Sequence, residues 1–135
     1  MDVSKLKVTP TAAMHLKSAA GAPLVEDGKP VRILFYGPAS RQFAELETKQ
    51  TARSVARHND NEGKLTARSA EERRKEAVED LADLTVGFEN LSSGELTGRD
   101  LHEAVYADPA LGFIIEQANK FINNWGNFSG GSATN

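Results

Sequence analysis

The chain contains no cysteine, which excludes disulfides, thiolate chemistry and cysteine-based metal sites. It also lacks any apolar run of about 18 residues, the length a helix needs to span a bilayer. The opening MDVSKLKVTP has no apolar core of the kind a secretory signal carries. A cytosolic protein with no membrane partner is therefore expected. Apolar residues make up 39% of the 135 and aromatic residues 7%, low for a globular domain. Part of the length is thus expected to be extended, solvated or completed by a partner. The length itself fits one domain, taken as residues 1–128.

Catalytic frames are missing as well. His15, His58 and His102 fall on separate predicted elements, and Glu103 beside His102 lacks the second histidine of a zinc-binding helix. No G-x-S-x-G elbow surrounds Ser18, Ser40, Ser54 or Ser69, and no GK[ST] follows a strand to cradle phosphate. No catalytic residue, cofactor or metal ligand is assigned, and an enzyme is the least favoured class.

What is present begins with charge. Residues 1–40 carry five bases and three acids, 41–80 carry nine of each, and 81–135 carry two bases and seven acids. An acidic C-terminal third opposes phosphate binding there, because nucleic-acid surfaces need clustered Lys and Arg. The run EERRKEAVEDLAD reads as a solvated helical face with i, i+4 pairs such as Glu71 with Lys75. Proteins, not nucleic acids, are the expected partners.

The patterning predicts an α+β fold, mostly helical, with an N-terminal β-hairpin over 12–37 followed by about four helices over 38–128. Residues 1–11 read as a frayed arm. Met14, His15, Leu16 and Lys17 alternate like a half-buried strand over 13–18. Asp27-Gly28 suits a tight turn with positive φ. VRILFYG, with Val31, Ile33 and Phe35 on one face and Gly37-Pro38 as its stop, is the strongest strand, and nothing after Gly37 shows strand character. Ser40 caps a helix over 41–58 whose apolar stripe, Phe43, Leu46, Gln50 and Val55, is thin.

HNDNEG opens a flexible joint near 58–66. Ser69 and Glu72 form a capping box for a helix over 69–88, and Thr97 with Asp100 repeats that spacing for a short helix ending near Ala107. Asp108 as cap and Pro109 in the first turn open the most apolar helix, 108–125, lined by Leu111, Ile114, Ile115, Ala118, Ile122 and Trp125. Phe113 and Phe121 widen its apolar face. The Gly/Ser/Asn-rich end, 129–135, is expected to be a disordered tail. Aromatic anchors dominate interface energies, so Phe113, Phe121, Trp125 and Phe128 are the candidate partner-binding residues.

Two stretches resemble the tail assembly chaperones of long-tailed, siphovirus-like phages and prophages. GAPLVEDGKPVRILFYGPASRQF resembles that family's strand, Asp-Gly turn, strand and Gly-x-x-Ser lead-in to a helix. LHEAVYADPALGFIIEQANKFINNWGNF resembles its short helix, Asp-Pro start, apolar helix with a central Gln, and terminal Asn-Phe. Together they cover roughly 50 of the 135 residues, and the charged middle adds almost nothing. The resemblance implies a non-enzymatic protein in the cytoplasm of a bacterial host. Such a protein holds the tape-measure protein, often as a homo-oligomer, and recruits the major tail protein, and a longer frameshifted form often accompanies it. Two other readings stay open: a minor tail or connector subunit retained in the virion, and a small DNA-binding regulator using the 69–88 helix.

Overall fold

The structure, a computed structural model, describes residues 1–60 and 68–130. The chain enters through a short 3-10 turn at Val3–Leu6, capped by Asp2, whose carboxylate accepts from Ser4 N at 2.9 Å. Strand β1 (Thr11–His15) follows, then a two-residue ribbon of β2 (Val25–Glu26) and β3 (Lys29–Pro30), then β4 (Arg32–Tyr36). Asp27 and Gly28 close the ribbon with φ of 50° and 77°, the conformation for which an Asp-Gly pair is suited. β1 and β4 pair antiparallel with Ala12 opposite Phe35 and Met14 opposite Ile33. That register puts Ala12, Met14, Ile33 and Phe35 on one face, and all four are buried.

The helical half consists of α1 (Arg41–Asp60), α2 (Ala70–Asp83), α3 (Gly98–Ala107) and α4 (Gly112–Ile122), with strand β5 (Thr85–Glu89) between α2 and α3. The molecule is α+β and mostly helical. β5 corrects the expectation that no strand follows Gly37 and that the second helix runs to 88. It pairs antiparallel with β4, making a three-stranded sheet of order β1-β4-β5. Thr85, Val86 and Phe88 favour a strand and Gly87 weakens a helix, and the free edge of β4 supplies backbone partners in place of those a further helical turn would give. Thr85 completes the switch: its hydroxyl donates to Leu81 O and accepts from the Tyr106 hydroxyl, each 2.7 Å away.

Three predicted helix starts are in place. Phe43 N donates to Ser40 Oγ at 3.1 Å, Glu72 N to Ser69 Oγ at 3.1 Å, and Ala110 N to Asp108 Oδ1 at 2.9 Å. Thr97 precedes α3 without a side-chain cap bond. The helix expected over 108–125 is instead three pieces: a 3-10 turn at Pro109–Leu111, α4, and a second 3-10 turn at Trp125–Phe128. α1 extends through His58–Asp60, so those three residues are helical. The rest of the joint expected near 58–66, and residues 131–135 of the expected tail, lie outside the described residues.

One apolar cluster joins the inner sheet face to the helices, with Leu46 from α1, Leu81 from α2, Leu101, Val105 and Tyr106 from α3, and Ile114, Ala118, Phe121 and Ile122 from α4. α4 is also tied to the end of β1 by polar contacts. Gln117 Oε1 accepts from Lys17 N at 2.9 Å and its Nε2 donates to Lys17 O at 2.8 Å, so one amide side chain pairs with the backbone as a neighbouring strand would.

Candidate functional site

The four aromatic candidates divide sharply. Phe128 has 0% of its surface exposed, Phe121 is buried, Phe113 is half-buried against the core, and Trp125 is 56% exposed. Phe121 packs its ring 6.1 Å from that of Phe35 and 5.6 Å from that of Phe128. Both are core residues, which corrects the expectation that they face a partner. Phe128 sits over Gly37, where a Cβ would lie 2.5 Å from its Cδ2 atom. The missing side chain at the end of β4 is therefore the space the ring fills. The sequence around Phe128 did not show this, because the receiving position lies about 90 residues earlier in the chain.

Trp125 is left outside on a well-braced turn. Asn124 Oδ1 accepts from Gly126 N at 2.9 Å, Asn127 Nδ2 donates to Phe121 O at 3.0 Å, and Ser129 Oγ donates to Gly126 O at 2.8 Å. The turn is pinned to the N-terminal side of the sheet where Thr9 N donates to Phe128 O at 2.7 Å. An aromatic side chain presented on a fixed backbone loses little conformational entropy on binding.

Beside this turn lies an open cleft of about 460 Å³ between the end of β1 and the end of α4. Asn124 and Asn127, which bracket Trp125, line it together with Met14, Pro23, Lys17 and Lys120. Its floor is apolar and its rim carries two cations for which no ion pair occurs among the described residues. The lysines and Pro23 were not singled out in the sequence. The signal that could have found them is their place around the Lys17 and Gln117 contact, which joins positions a hundred residues apart.

The crevice between α1 and α2, about 430 Å³, is bridged by ion pairs. Arg53 Nη1 lies 2.6 Å from Asp80, Arg57 3.0 Å and Arg68 3.1 Å from Glu76, and Lys49 2.9 Å and Arg99 2.7 Å from Asp83. The second half of the charged run read as a solvated face thus forms an interhelical seam through Glu76, Asp80 and Asp83, while residues 71–75 are exposed and, among the described residues, Glu71 and Lys75 form no ion pair. Burial would raise the Glu76 and Asp83 carboxyls, but hydrogen bonds from Arg68 and Arg57, and from Lys49 and Arg99, hold them below their ordinary values. Among the described residues no group of three or more His, Asp or Glu is placed to hold a metal ion. No helix there is long and apolar enough to cross a membrane.

No protein-family model, curated protein or solved structure matches the chain.

Proposed function

We propose that the protein is a non-enzymatic tail assembly chaperone of a long-tailed phage or prophage, acting in the cytoplasm of the bacterial host. It binds the tape-measure protein, helps recruit the major tail protein and self-associates while doing so. The observation that carries the binding reading is the position of the chain's only tryptophan, exposed on a rigid turn beside an apolar cleft with a basic rim. Water-exposed tryptophan contributes little to folding, whereas at an interface it is among the residues whose loss costs most. The phage assignment rests on the two sequence stretches described above.

Co-expression with the tape-measure protein tests it. The chain should co-purify with that client, Trp125→Ala should lose the client while remaining folded, and purified virions should lack the chain by mass spectrometry. A chain found stoichiometrically in virions would replace this reading with a structural tail subunit.

A further inference from the structure

A second surface lies away from Trp125, between α2 and the junction of α3 with α4. It is a groove of about 650 Å³ whose walls are Arg73, Arg74 and Val78 on one side and Pro109, Gly112 and Ile115 on the other. Val78 and Ile115 are half-buried and show apolar surface, while Ala70, Ala77 and Ala107 keep the walls low. Nothing lies within 4 Å of the point where a Gly112 Cβ would be. From Ala70 to Val78 the α2 wall runs two helical turns, roughly 12 Å, enough to take about two turns of another helix.

The charges on the rim select the occupant. Of the eight arginines, six lie within ion-pair distance of a carboxylate. The two that do not, among the described residues, are Arg73 and Arg74, side by side on this groove. Asp108 on the opposite wall already accepts from Ala110 N as a cap. We infer that this groove docks an amphipathic helix of a partner protein, its apolar residues on Val78 and Ile115 and its carboxylates on Arg73 and Arg74. Guanidinium groups pair with carboxylates in a forked geometry, and an apolar floor between them gives the helix its burial. Duplex DNA fits less well, because phosphates leave the apolar floor uncovered. The inference rests on the protein-binding reading and adds a location and a partner chemistry to it.

The test uses the full chain, isotopically labelled for NMR, and two synthetic amphipathic peptides of about 18 residues, five helical turns. Both carry the same leucines, flanked by Glu in one and by Lys in the other. The Glu peptide should shift the Val78, Gly112 and Ile115 resonances, and R73E with R74E should weaken it by about tenfold or more. Ala77→Trp, which fills an exposed groove position, should block it, and the Lys peptide should prefer the charge-reversed protein. Unshifted groove resonances, or equal binding of the Glu peptide by wild type and R73E/R74E, would overturn the proposal. So would groove shifts that follow protein concentration, which would make the occupant a second copy, or shifts produced by duplex DNA. Neither titration involves the tape-measure protein, so this proposal and the chaperone reading fail separately.

Discussion

Gly37 and Phe128 meet where the end of β4 passes beneath the C-terminal turn, and Gly37 could not take a side chain without moving the Phe128 ring. Gly37→Ala should destabilise the fold by about 1–3 kcal/mol, the usual cost of forcing extra atoms into a packed core. Thermal unfolding measures it, and an unchanged Tm would show that Phe128 does not occupy that space in solution. His102 supplies a second prediction. It is buried, with its ring centroid 4.4 Å from that of Phe88, and burial together with the nearby Arg99 charge lowers its pKa below 6.5. The folded state then binds its proton less readily than the unfolded state. The stability from neutral His102 is fully present above pH 6.5 and is lost as pH falls below it toward the folded pKa. Chemical denaturation from pH 7.5 to 5 should show this loss, and His102→Phe should flatten it. At this scale the caps at Ser40, Ser69 and Asp108 were legible because each bonds to a backbone N–H two or three residues on. The burial of Phe128 was not, since it depends on Gly37 and Thr9.

Among the elements, α1 depends most on charge. Of its 20 residues only Leu46 is buried, and Val55, expected on the apolar stripe, is exposed while Arg53 and Arg57 face α2. The half of α1 beyond Gln50 is therefore held by ion pairs more than by apolar burial. The screening length falls from about 10 Å at 0.1 M salt to about 3 Å at 1 M, so amide hydrogen exchange over residues 51–60 should quicken with salt while the sheet stays protected. Arg53→Ala should have the same effect at low salt and cost about 1–2 kcal/mol, because among the described residues it removes the only cation paired with Glu79 and Asp80, leaving Asp80 with the Gln50 amide alone. Exchange in 51–60 that ignores both salt and Arg53→Ala would mean apolar packing holds the helix. The seam was hidden in the sequence because alternating charges look alike whether they face water or another helix. β5 was hidden for a related reason: its five residues continue a helical spacing, and its partner strand is about 50 residues earlier.

For the whole molecule, the alternation of 31–35, the Asp-Gly turn and the apolar spacing after Asp108 sufficed to read an α+β fold with four helices. They could not show which aromatic residues would fill the core and which would remain outside. Once Phe121 and Phe128 are inside, Trp125 stands out as the large aromatic side chain still exposed, beside a basic-rimmed cleft. Being the only tryptophan, it also reports on its own surroundings. The most direct measurement is a titration of the purified protein with the tape-measure protein, following Trp125 emission and comparing affinity with that of Trp125→Ala. Burial of Trp125 should shift its emission to shorter wavelength as the complex forms, and Trp125→Ala should bind at least about 2 kcal/mol more weakly with its Tm unchanged. Emission that stays that of an exposed tryptophan at saturation, or a Trp125→Ala variant that binds as wild type does, would contradict the assignment of this surface to the client.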